Sequence, residues 1–88
     1  MPQTQKPIRL SGHAQGRLSQ RGTTEQEIIE TILTESWRPA ERGRLECRKN
    51  FPFNAEWNGK HYGTKQVRLI FVDDPHEIVV VTVYVYYF

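Results

Sequence analysis

Much of what holds small proteins together, or marks their chemistry, is missing from this 88-residue sequence. It has one cysteine, Cys47, so no internal disulfide staples the fold and a reducing cytoplasm is the expected compartment. Cys47 and three scattered histidines (His13, His61 and His76) match no zinc-ligand spacing, so no metal is expected. No apolar run approaches the ~20 residues of a bilayer span, and residues 1–7 lack the apolar stretch of a signal peptide. A glycine-rich phosphate loop is absent, and the chain is too short for the βαβ units of a dinucleotide fold, so no cofactor is expected. Repeats, low-complexity segments and linkers are absent too. At 38% hydrophobic and 25% charged residues, the composition is that of one folded domain spanning 1–88, with residues 1–7 expected to form a flexible tail. Small one-site enzymes, binding modules and interaction domains remain.

Net charge is only +2, yet it is segregated along the chain. Residues 6–21 carry Lys6, Arg9, Arg17 and Arg21 and no acid; residues 22–36 carry Glu25, Glu27, Glu30 and Glu35 and no base. Residues 37–49 are basic again, with Arg38, Arg42, Arg44, Arg48 and Lys49 against Glu41 and Glu46. Arginine outnumbers lysine eight to four, and guanidinium groups suit planar, bidentate phosphate contacts better than ammonium does.

The first half reads as helix and the second as strand. Ser11 is a fitting N-cap for a helix over 12–21, closed by Gly22. Thr24 and Glu27 form a capping box for a second helix ending by about residue 37, before Pro39. Its apolar stripe is Ile28, Ile29, Ile32 and Leu33, with Glu27, Glu30, Thr31 and Thr34 opposite. Strands are expected over 44–50, 53–57, 60–64, 66–72 and 78–88, with Leu45 and Cys47 sharing a face and Asn58-Gly59 making a type I′ hairpin turn. The expected fold is α+β, an N-terminal αα-hairpin packed on a mainly antiparallel sheet.

In the last strand, Val79, Val81, Val83, Val85 and Tyr87 are expected against the helices. Thr82, Tyr84 and Tyr86 then look out from the open face. A turn that pairs Asp73 with Glu77 sets Arg68 opposite Thr82 on that face, whereas a four-residue loop flips the parity. An uncovered apolar strand of this kind also suits a homodimer.

His13, Arg17 and Arg21, spaced i, i+4 and i+8, fall along one helix face. An imidazole beside two guanidinium groups is the set that metal-free RNA cleavage uses: one group moves the proton of a 2′-hydroxyl, and the others neutralise the phosphate. A basic solvated helix face with a capping histidine has the same spacing. Tyr84 and Tyr86 are candidates for base stacking, or equally for half-buried packing. Lys65 and Arg68 are candidate phosphate contacts. Trp37 and Trp57 read as core or lid aromatics, and Cys47 as a small buried apolar residue.

Arg9-Leu10-Ser11-Gly12-His13-Ala14, then Arg17, then Arg21-Gly22-Thr23-Thr24 and Glu27-Ile28, together with the closing Val80-Val81-Thr82-Val83-Tyr84, resemble the signature of domain-of-unknown-function family 4258. Thr23 departs from the apolar residue usual there. The resemblance implies a RelE- or barnase-like fold, N-terminal helices on a four-stranded, mainly antiparallel sheet, and a bacterial toxin of a toxin–antitoxin module, a ribonuclease working without a metal. Its partners would be an RNA substrate and a cognate antitoxin. By position it implies His13, Arg17, Thr82 and Tyr84 as catalytic residues, with Arg21 beside them. The competing expectation is a non-catalytic module that binds RNA or protein on the open sheet face.

Overall fold

Helix α1 (Gly12–Arg21) starts where the Ser11 hydroxyl accepts the Ala14 N–H and stops where Gly22 turns left-handed at φ 77°. The glycine is required twice over. A side chain there would be strained, and its Cβ would lie 2.3 Å from the Tyr87 hydroxyl and 2.8 Å from the Trp57 ring. Helix α2 (Glu25–Thr34) follows at once, opened by the Thr24–Glu27 capping box. Thr23 fills the usual staple position with a polar contact, its hydroxyl donating to Glu27 Oε1 at 3.0 Å. Ile28 and Ile32 are fully buried, each worth roughly 1.5–3 kcal/mol. Thr31, expected on the outer face, is buried with them because its hydroxyl is satisfied by the Glu27 carbonyl at 2.7 Å; Leu33 takes the exposed position instead. The helix ends three residues earlier than Pro39 required, where the Trp37 indole N–H donates to the Ile32 carbonyl.

The computed structural model describes residues 6–88. The expected tail falls mostly outside them, but Lys6 and Pro7 are tied down. Lys6 pairs with Asp73 and donates to the Asp74 carbonyl, and the Pro7 carbonyl accepts the Ile78 N–H. Among the described residues, no helix is long and apolar enough to cross a membrane.

The fold is α+β, but the sheet has five strands and is mixed. Its order is β1-β5-β4-β3-β2, with β1 (Ile8–Leu10), β2 (Arg38–Pro39), β3 (Leu45–Trp57), β4 (Lys60–Asp73) and β5 (Ile78–Tyr87). β1 pairs parallel with β5, and the other pairs are antiparallel. β1 and β2 were missed because two or three residues carry no readable alternation; neighbours, not their own pattern, make them strands. The four short strands expected over 44–72 are two long ones. Asn54, at φ 47°, absorbs an irregularity between Pro52 and Ala55 without ending β3. Asn58 and Gly59 both have positive φ, as the type I′ turn requires.

The faces of β5 turn on two parity changes that cancel. The β4–β5 loop has four residues, since Asp73 pairs with Ile78, and alone it would turn Arg68 from the side of Thr82 and Tyr84. A bulge at Val81 restores the parity: Phe71 pairs with Val80, but Ile70 pairs with Thr82 and Arg68 with Tyr84. Beyond the bulge the faces are as expected. Before it they are reversed, so Ile78 and Val80 are buried in the core and Val79 is not. Helices α1 and α2 cover the face bearing Val67, Leu69, Phe71, Val83 and Cys47, and leave the other face open. Trp37 packs edge-on against Phe71 in that core, and Trp57 stacks on Tyr87 at 4.9 Å.

Candidate nucleic-acid interface

Three rows of side chains cross the open face from β3 through β4 to β5: Glu46–Ile70–Thr82, Arg48–Arg68–Tyr84 and Asn50–Gln66–Tyr86. Period-two alternation sends these residues outward because their neighbours Leu45, Cys47, Val67, Leu69 and Val83 are drawn into the core. The segment between β2 and β3 closes one end. It bends sharply at Arg42, whose φ of 61° is costly for a residue with a Cβ, and at Gly43, then returns through Arg44. The result is a groove of about 580 Å³ lined chiefly by Arg42, Arg44, Glu46, Arg68, Thr82 and Tyr84.

Tyr84 is the centre of this arrangement. The Arg68 guanidinium lies 5.2 Å from its ring centroid, and that of Arg21 lies 5.9 Å away. Both distances are within the range of a cation–π contact. Arg21 belongs to α1, on the covered side, and reaches the open face around the edge of β5. It can do so because β1 pairs only with residues 78–80 of β5. The last turn of α1 is held at that edge by the Tyr87 hydroxyl, which donates to the Arg21 carbonyl at 2.6 Å.

Glu46 is the one acid among these three rows. Arg68 donates to both its oxygens, at 3.1 and 3.3 Å, and Arg48 adds a bond at 2.9 Å. Hydrogen bonds from Arg68, then Arg48, pull its carboxyl down to about 2, so it stays ionised and is a weak base near neutral pH. The bonds to Glu46 in turn raise the Arg68 pKa, so its cation persists. Two carboxylates, Glu41 and Glu46, face the guanidinium groups of Arg42, Arg44 and Arg68 along the groove, and Arg21 and Arg48 at its margin add to the positive surplus. Among the described residues, Arg42 and Arg44 have no side-chain hydrogen bond or ion pair to an acid. Such a surface attracts anions.

The other candidates are distributed differently. Tyr86 follows Tyr84 on the open face. His13 is exposed in the first turn of α1, and Arg17 spends a hydrogen bond on Gln20 at 3.1 Å. Ser11 ties that helix end to the Val80 and Val81 carbonyls, just before Thr82, but among the described residues no hydrogen bond joins His13 or Arg17 to Thr82 or Tyr84. Lys65 stands on the helix-covered face, 7% exposed, with its ammonium donating to Glu27 and to the Gly22 carbonyl at 2.9 Å each. It latches the αα-hairpin to β4 and is turned away from the groove. Cys47 is buried, and desolvation pushes its thiol up to about 12.

Sequence reasoning passed over Arg42, Arg44 and Glu46. The signal for Glu46 was present: with Leu45 and Cys47 on one face, Glu46 has to share the other with Arg48. Comparison with protein-family models, curated proteins and solved structures gives no match for the chain.

Proposed function

We propose that the protein is an RNA-binding domain that cuts its substrate as a metal-independent endoribonuclease, with an antitoxin as its controlling partner. The reading is carried by one observation: two guanidinium groups, from Arg68 and Arg21, converge on the Tyr84 ring in an open groove that also holds Thr82. A phosphodiester entering there meets cations on two sides, and Thr82 and Tyr84 offer hydroxyl groups to orient it. The reaction forms a bond from the 2′-oxygen to phosphorus and breaks the bond from phosphorus to the 5′-oxygen. A base takes the 2′-hydroxyl proton, an acid supplies one to the departing oxygen, and the products are a 2′,3′-cyclic phosphate and a 5′-hydroxyl. Guanidinium groups offset the charge that builds on the phosphoryl oxygens. His13 is the candidate for proton transfer, with Arg17 beside it on α1, and Glu46 is too weak a base for that role.

A binding module that does not cut is favoured by the position of His13, which is exposed on α1 and, among the described residues, has no hydrogen bond to Thr82 or Tyr84. One experiment separates the two. Labelled RNA is incubated in a chelator with wild type, His13→Ala and Arg68→Ala, while binding and product ends are followed. Cyclic-phosphate ends that vanish in His13→Ala support the ribonuclease. Salt-sensitive binding that Arg68→Ala weakens, with RNA left whole by wild type, supports the module. Wild type that neither binds nor cuts RNA overturns both.

A further inference from the structure

Past Tyr84, the outward row of β5 changes character. Tyr86 and, one residue past the end of the strand, Phe88 follow at two-residue intervals and are 43% and 59% exposed, the most exposed aromatic residues among those described. Phe88 is fixed in this row, because its backbone exchanges paired hydrogen bonds with Thr64 at 2.8 and 3.0 Å. The flanking residues change as well. Tyr84 has Arg68 and Arg48 beside it, whereas Tyr86 has Gln66 and Asn50, and the position opposite Phe88 has Thr64 and Pro52. Gln66 donates to Asn50 at 2.9 Å, which leaves amide donors and acceptors free to meet a base edge. Cations therefore gather at one end of the row and neutral amides at the other, with Arg68 also reaching the Tyr86 hydroxyl and Phe88 furthest from the charge.

We propose that this row is a platform for single-stranded RNA. A phosphate sits at the Tyr84 end between Arg68 and Arg21, and the bases of two following nucleotides lie on Tyr86 and Phe88. The inference rests on the reading above and narrows its substrate class. Rings two residues apart on a strand stand roughly 7 Å apart, twice the ~3.4 Å rise per nucleotide of a stacked strand. Bases seated on successive rings are therefore unstacked from each other, which a duplex does not allow. The arginine cluster selects a polyanion, and exposed rings two residues apart beside free amide groups suit the bases of a nucleic acid rather than an acidic peptide, which has no flat rings to stack.

The test uses 2′-O-methyl dodecaadenylate, which cannot be cleaved through its 2′-oxygen, with binding followed by fluorescence anisotropy at several salt concentrations. Its complementary duplex and a dinucleotide serve as comparisons. The single strand is expected to bind more tightly than either. Tyr86→Ala and Phe88→Ala are each expected to weaken it by about 5- to 150-fold, the range for one base stacked on an aromatic ring, with the salt dependence unchanged. Phe88→Trp retains binding and Phe88→Leu does not, because the ring face and not apolar area is what matters. Both positions are exposed, so thermal melting of the variants should match wild type. Unchanged affinity in the Tyr86 and Phe88 variants, with affinity and salt slope both lost in Arg68→Ala, overturns the platform and leaves the RNA reading standing. Equal binding of duplex and single strand also overturns it. A wild-type dimer that Phe88→Ala dissociates, with no binding of any RNA, overturns both.

Discussion

Each face of β4 carries a cation paired with a glutamate, and the two pairs are put to different use. On the covered face, Lys65 bonds Glu27 and the Gly22 carbonyl with almost no exposure, and Glu27 also holds Thr23 and Thr24. Every charge there has a structural partner. On the open face, Arg68 bonds Glu46 while still facing the groove, where arginines outnumber the two carboxylates, Glu41 and Glu46. A buried pair is costly to break because the remaining charge is left without water. A partly exposed pair amid surplus cations can exchange its carboxylate for another anion. The contrast separates charge that holds the fold from charge available to a ligand.

Removing Lys65 should have the largest effect. Lys65→Ala strands Glu27 and frees the α1–α2 turn, and is expected to cost about 3–5 kcal/mol in urea denaturation. Variant protein that remains folded should bind RNA as wild type does. A loss below about 1 kcal/mol together with weaker RNA binding would erase the distinction between the two faces.

Glu46→Gln sharpens the comparison from the other side. The folded-state carboxyl lies at about 2, below its ordinary 4.5. Ionised Glu46 therefore stabilises the fold above pH 4.5, and that contribution is lost as the pH falls from 4.5 through about 2. The variant should show a flatter stability profile across that window. At neutral pH it should bind RNA a few-fold more tightly, because Arg68 and Arg48 lose a competing anion. The smallest stability effect is expected from Arg42→Ala combined with Arg44→Ala. Melting should shift by no more than about 0.5 kcal/mol, while the log–log salt slope of RNA binding falls by about 0.7 for each phosphate contact removed.

Local chemistry was legible throughout. Ser11 and Gly22, Thr24 with Glu27, and Asn58-Gly59 act through backbone atoms within a few residues, and each does what its type and spacing require. The outward turn of Thr82, Tyr84 and Tyr86 was legible as well, although the loop and bulge behind it were not: two one-residue parity changes cancel and leave no trace in the pattern.

The sequence by itself determined the two capped helices, the tight hairpin, the alternation of β4 and β5 and the segregation of charge, because these depend on neighbours along the chain. Only the tertiary structure decided which charges meet. Lys65 and Glu27 are 38 residues apart, Arg68 and Glu46 are 22 apart, and Arg21 reaches Tyr84 from a different element. Lys65 became a structural latch and Arg68 part of a groove because the helices cover one face of the sheet and leave the other to solvent, a choice made by packing between distant segments.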